Sequence, residues 1–202
     1  MKNLPEVTVI TGGVASGKSA VLSALRQRCG EAAFFDSDLE VYRALTSSEI
    51  RVKIGEHFGR AFLHPDGTVA KRALRGRIFE NPEDRAFLEN LLHPVVARRF
   101  HEEVERGRQE GRRWVIADIP LFFETQEKFP AVRVVAVAAQ ECTQMERLIQ
   151  RDGIDQAMAM AMIQAQMPMS GKMRRADQVL WNEGSRAALE EQVDLLCGLL
   201  EM

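Results

Sequence analysis

Cysteine is scarce. The chain has three, Cys29, Cys142 and Cys197, odd in number and far apart. No two of them have metal-ligand spacing, so neither a disulfide framework nor a zinc site is expected, and all three read as reduced thiols. A charge surplus is also lacking. Lys and Arg total 27 against 29 Asp and Glu, a net charge of −2, which argues against general nucleic-acid binding through a basic imbalance. The stretch from Lys71 to Arg113 leans positive, with 11 basic and 8 acidic residues. A positive surface and an ordinary solvated helix face both fit that count. Long apolar runs are missing too. Met1 to Glu6 is short and polar and leads into a strand, with neither a signal peptide nor a membrane-length segment behind it. The expectation is a cytoplasmic protein without membrane attachment or nucleic-acid partner. No repeat or low-complexity linker interrupts the chain.

The 202 residues are 46% hydrophobic, enough for one well-buried α/β domain with an appended lobe and too few for two large domains. Five short apolar runs stand out: Val7 to Thr11, Ala33 to Phe35 ending at Asp36, Trp114 to Asp118, Val132 to Val137, and Gln178 to Trp181. Near-continuous apolar strands separated by helical segments predict a parallel sheet covered on both faces. Two stretches break the alternation. Residues 39–113 are helical in composition and read as an inserted lobe for an acceptor. In residues 143–176, Thr143-Gln144-Met145-Glu146 has capping-box spacing and predicts a helix start. Asp155 is placed to cap a second helix that Pro168 would end. The methionines Met158, Met160, Met162, Met167 and Met169 read as flexible packing.

Gly12-Gly13-Val14-Ala15-Ser16-Gly17-Lys18-Ser19 fits G-x-x-x-x-G-K-[ST] in full, after a predicted strand and before a predicted helix over Lys18 to Arg28. Glycines let the backbone curl around phosphate oxygens. Exposed N–H groups and the positive end of a helix favour an anion there. Lys18 is expected to reach the β- and γ-phosphates of ATP, and the Ser19 hydroxyl to ligate Mg²⁺. Ala20 completes the binding set. The loop identifies a nucleoside triphosphate site and leaves the acceptor open.

Asp36-Ser37-Asp38 follows the second strand, where ligands of open α/β sheets gather. A carboxylate there either accepts the proton of an attacking hydroxyl or caps a turn or helix. Asp118 ends the third strand and is either a Mg²⁺ neighbour or structural. Arg147 and Arg151, four apart on a predicted helix, share one face. That face is either a phosphate clamp or a solvated, salt-bridged surface, with Glu146 or Asp152 as partners. Lys172, Arg174 and Arg175 carry the same ambiguity. His93, before Pro94 on an apolar helix, reads from spacing alone as a packed side chain.

In this order the pieces resemble the dephospho-CoA kinase family over nearly the whole chain. The resemblance runs through Thr11 to Ser19, Asp36-Ser37-Asp38, Phe58-Gly59, Asp66-Gly67, Arg72 with Leu74, and Ile78-Phe79. It continues in Leu91-Leu92-His93-Pro94, Pro120-Leu121-Phe122-Phe123-Glu124, Arg147-Leu148 with Arg151, Gln164-Ala165-Gln166, Lys172, Ala176-Asp177, and Asn182 with Gly184. It implies a P-loop NTPase fold with a nucleotide core over about 1–38, 114–142 and 177–202, the acceptor lobe over 39–113 and a helical lid over 143–176. It further implies transfer of the ATP γ-phosphoryl group to 3′-dephospho-CoA, Asp38 as general base, and Lys18 and Arg147 acting on the phosphates with Arg151. Asp36, Asp38, Arg43, His93, Pro120 and Leu121 are implied to bind the acceptor. The chain departs from the family at Tyr42, where an Arg typically stands and Arg43 comes one residue later, and at Met162, where many members carry Arg. Another small-molecule kinase, or a nucleotide-binding switch without transfer, are the rival readings; lid arginines and a helical insertion favour transfer.

Overall fold

The computed structural model describes residues 4–125 and 128–201, and of Phe79 the backbone alone. The first three residues of the polar start and the Phe79 side chain of the Ile78-Phe79 pair therefore lie outside the described residues. Five strands form one sheet, β1 Glu6–Gly12, β2 Ala33–Asp36, β3 Trp114–Asp118, β4 Arg133–Ala138 and β5 Gln178–Trp181, in the order β2-β3-β1-β4-β5. All five predicted strands are present, and the sheet is parallel. From Val7 on, β1 is buried at every position, as is all of β3. That is the pattern of strands covered on both faces.

The helices are α1 Lys18–Arg28, α2 Ser37–Ala44, α3 Ser48–Phe58, α4 Lys71–Glu80, α5 Pro82–Glu110, α6 Glu141–Asp152, α7 Gln156–Gln164, α8 Met169–Arg175 and α9 Arg186–Leu199. Two compact units emerge, one of residues 1–35 and 103–202, the other of residues 36–102. The second unit starts three residues ahead of the expected lobe, and α5, which begins in that unit, runs on as one helix to Glu110. The expected lid, residues 143–176, groups with the sheet in the first unit.

In the first unit, α1 and α9 close the sheet with Val21, Leu25, Leu189, Val193 and Leu196 over Ile10, Ile116, Val135 and Val137. Cys29 and Cys197 lie in this core as free thiols with sulfurs 3.5 Å apart. Burial, with the neighbouring thiol, pushes the Cys29 pKa up to about 12. In the second unit, Ile50, Ile54, Val69, Leu74, Leu88 and Leu92 make a separate core. Leu88, Leu92 and Val96 recur every four residues along α5, the spacing of one buried helix face.

Two local expectations fail. α6 begins at Glu141, ahead of the capping-box Thr143. The hydroxyl of Thr143 instead donates to Glu183 Oε2 at 2.8 Å, and Glu183 Oε1 accepts from the Gln140 N–H at 2.5 Å. A carboxylate distant in sequence thus takes over the helix start, which local spacing cannot reveal. Pro168 does not end α7, which stops at Gln164; it is the N-cap residue of α8. Asp155 does cap α7, accepting from the Met158 N–H at 2.8 Å.

Candidate active site

β1 lies at the middle of the sheet, between β3 and β4. The chain leaves it through Gly12 to Ser19 at the point where the strand order reverses, the place where open parallel sheets bind ligands. Two residues of this loop have left-handed backbones, Ala15 at φ 57° and Gly17 at φ 97°. For a residue with a Cβ that conformation costs about 1–2 kcal/mol. Such residues turn successive N–H groups toward a common centre, forming an anion-binding nest. Packing holds the strained shape. A Cβ at Gly12 would lie 2.5 Å from the Val137 carbonyl oxygen, and one at Gly17 would lie 1.9 Å from Asn182 Nδ2. Glycine is a matter of space at Gly12, and of space and φ together at Gly17.

Side chains from distant elements fix the loop through its carbonyls. Asn182 Nδ2 donates to Ser16 O at 2.9 Å. Arg147, on α6, donates to Ala15 O and Ser16 O, each at 3.4 Å, and to Asn182 O at 2.9 Å. These contacts hold the loop by its carbonyls rather than by its N–H groups. Ala20 N–H closes the first turn of α1 on Gly17 O at 3.0 Å. Ser19, in the same turn, is exposed.

Lys18 Nζ sits 2.6 Å from Asp118 Oδ1, with both side chains largely buried. The pairing follows from register, since Asp118 stands beside Ile10 across β1 and β3. An anion at the loop competes with Asp118 for the same ammonium. Below the pair lies a residue whose role sequence reading missed. Lys172, on α8, is fully buried. Its ammonium donates to Gly12 O at 3.2 Å and Pro120 O at 2.9 Å and pairs with Glu124 Oε1 at 2.8 Å. Burial pushes its pKa down from the ordinary lysine value, and Glu124 opposes that shift. Glu124 Oε1 also accepts from the Met167 N–H at 3.0 Å. One buried cation therefore ties together the end of β1, the turn after β3 and the start of α8. The only sequence signal was its place in the run from Lys172 to Gly184, because a basic cluster does not show which member is buried.

The remaining expected residues take separate places. Pro120 serves this junction through its carbonyl, which also accepts from Thr11 Oγ1 at 3.0 Å. Leu121 O accepts from the N–H groups of Glu124 and Thr125. Arg151 pairs with Asp152, its Nε 2.7 Å from Oδ1, on the exposed side of α6.

In the second unit, Asp36 caps α2, its Oδ1 accepting from the Leu39 N–H at 2.9 Å. The helix starts at Ser37, so Asp36 and Asp38 are not equivalent positions. Asp38 instead lies exposed in the first helical turn. Arg43 pairs with Glu40 at 2.5 Å. The Tyr42 ring, where the resemblance anticipates an Arg, carries the Lys71 ammonium 3.3 Å from its centroid. His93 is half-buried within α5, ahead of Pro94.

A parallel sheet with a glycine loop at its switch point, a lysine opening the next helix and an aspartate on the adjacent strand defines a P-loop phosphotransferase. Comparison with known proteins narrows the class. The dephospho-CoA kinase family profile matches residues 7–188, and the chain belongs to that family. A dephospho-CoA kinase from Synechocystis is 37% identical over 185 residues, 91% of this chain and 90% of its own. One from Symbiobacterium thermophilum is 38% identical over 94% of this chain and 80% of its own. The solved structure of TT1252 from Thermus thermophilus superposes with a TM-score of 0.78 at 32% identity, covering 98% of this chain and 99% of that one. Dephospho-CoA kinase from Campylobacter jejuni, at 20% identity and a TM-score of 0.65, shares the fold over 98% of both chains.

Proposed function

We propose that this chain transfers the γ-phosphoryl group of ATP to the ribose 3′-hydroxyl of 3′-dephospho-CoA, giving coenzyme A and ADP. The carrying observation is a family match over residues 7–188 that spans a phosphate loop of the required geometry. The left-handed residues, the glycines without room for a Cβ and the pinned carbonyls suit a triphosphate chain. Ser19 and Asp118 offer a hydroxyl and a carboxylate, hard oxygen donors of the kind Mg²⁺ takes alongside phosphates and water. Mg²⁺ held by these two donors would supply positive charge to offset that of the phosphates.

In this reading the loop amides and Lys18 hold the phosphates, and Asp118 orients Lys18. Arg147 acts by holding Ala15 and Ser16, so that the amides keep their direction. Arg151, paired with Asp152 on the exposed side of α6, is placed to exchange that partner for phosphate. Asp38 accepts the proton of the 3′-hydroxyl. The ribose oxygen bonds to the γ-phosphorus, and the bond to the β–γ bridging oxygen breaks, leaving ADP. The resemblance supports Asp38 as the base, and so does the commitment of Asp36 to its cap. Arg43, His93 and Leu121 serve the acceptor, and Lys71 supplies a further cation over the Tyr42 ring. Among the described residues no helix is long and apolar enough to cross a membrane, in keeping with work in the cytoplasm on a small-molecule acceptor.

A coupled ADP-release assay across acceptors tests the reading. Turnover should rise strongly with dephospho-CoA and little with adenosine, AMP or pantothenate. Strong turnover with a nucleoside and none with dephospho-CoA overturns it. Asp38→Asn should keep both substrates bound and lose about 10²–10⁴-fold in kcat, the range of a positioned base. A mild Asp38→Asn beside an inactive Asp36→Asn reverses the assignment.

A further inference from the structure

One amide of the phosphate loop has a side-chain partner. Val14 N–H donates to Gln166 Oε1 at 2.9 Å, across 152 residues of sequence. Gln166 lies between α7 and α8, and the chain just after it is anchored. Met167 N–H holds Glu124, and Lys172 holds Glu124, Gly12 and Pro120. The carboxamide is therefore delivered to the loop by a fixed scaffold rather than by a wandering surface side chain.

The partner also settles the orientation of the carboxamide. A backbone N–H can only donate, so the oxygen must face Val14 and the amino group must face away from it. That amino group makes no hydrogen bond among the described residues. Gln166 lines a cavity of about 400 Å³ together with Gly13, Gln144, Met167, Met169 and Ser170. A neutral group with two unused donors thus borders the same cavity as the start of the phosphate loop.

We infer that Gln166 is a phosphoryl-contacting residue, which bonds the loop through its oxygen and donates its amino group to the transferred phosphoryl group. The chemistry favours glutamine. Glutamate would keep the acceptor toward Val14 but present negative charge to phosphate. Methionine keeps the length and loses both bonds. The inference rests on the loop binding a nucleoside triphosphate, and it gives that binding a dependence on the terminal phosphate.

Equilibrium titrations of wild type, Gln166→Met and Gln166→Glu test it. The ligands are Mg·ADP and a Mg·ATP analogue with a methylene bridge between the β- and γ-phosphates, and melting temperatures check folding. Wild-type binding of the analogue tests the nucleotide site itself, so the two readings fail separately. The expected result is ADP affinity unchanged within about twofold and analogue affinity weakened about tenfold in Gln166→Met, the scale of one hydrogen bond to a charged group. Gln166→Glu should weaken it further, and kcat should fall in parallel. Three results overturn the proposal. The two affinities could change in step, as a purely structural latch requires. Analogue binding could survive intact in Gln166→Met. Or the analogue could bind Gln166→Met more tightly, which would make Gln166 a competitor for the Val14 amide.

Discussion

The two units handle their charges in opposite ways. In residues 36–102 most pairs are local, and Lys53 with Glu49, Arg85 with Glu89 and Arg99 with Glu102 are also exposed, each three or four residues apart on one helix. Around the phosphate loop the polar side chains are at least half-buried, distant in sequence and aimed at backbone. Lys172 reaches Gly12 across 160 residues, Arg147 reaches Ala15 across 132, and Gln166 reaches Val14 across 152. Local exposed pairs support a helix that forms anyway. Distant buried contacts set the shape of a loop whose strained residues would otherwise relax. Substitutions should therefore cost far more near the loop than on the helical unit.

Lys18→Ala marks the upper end of that scale. Lys18 is held by Asp118 and is the cation nearest the expected phosphate charge. Removing a contact made mainly in the transition state costs about 3–4 kcal/mol, roughly a hundredfold or more in kcat. Steady-state kinetics on a variant with wild-type circular dichroism checks this. Near-normal kcat would remove Lys18 from the site and with it the catalytic side of the comparison.

Lys172 tests whether a buried contact to backbone matters when it touches no substrate. Lys172→Met leaves Glu124 buried without its cation, and breaking a buried pair in this way costs about 3–5 kcal/mol. Thermal unfolding should show a large drop in Tm, with the surviving folded fraction binding ATP more weakly. Lys172→Arg keeps the charge but not the compact ammonium that three acceptors surround, so it should rescue only part of the loss. Full activity and stability in Lys172→Met would show that the junction holds without its centre.

The same contrast explains what could be read in advance. The five strands, the loop and α1 were legible because each rests on local pattern: apolar runs, glycines at fixed offsets, a lysine opening a helix. The cap at Asp155 was legible for the same reason. The roles of Lys172, Asn182, Gln166 and Glu124 were not. Each is defined by a partner at least 40 residues away or by burial, and a single sequence encodes neither directly. Thr143 shows the converse, a correct local motif overruled when Glu183 arrived from beyond β5. Asp36 and Asp38 looked equivalent until the helix began one residue after the first of them.

The smallest effect belongs to the exposed pairs, and Arg85 with Glu89 on α5 is the cleanest of them. The two side chains are 2.8 Å apart, four residues along the helix, and respectively 45% and 40% exposed. Water screens such a pair, and holding two long side chains in one geometry offsets much of the attraction. Exposed pairs at this spacing are worth about 0.3–0.5 kcal/mol. The order is also unfavourable, since an acidic residue placed before a basic one suits the helix dipole better than the reverse. A double-mutant cycle of Arg85→Ala, Glu89→Ala and both together should give a coupling below about 0.5 kcal/mol by denaturant unfolding. Raising the salt concentration should shrink it further, because exposed charges are screened within about 10 Å at 0.1 M ionic strength. Transfer kinetics should be unchanged in all three variants. A coupling well above 1 kcal/mol, or a fall in kcat, would mean that the surface charges of the helical unit do more than solvate it.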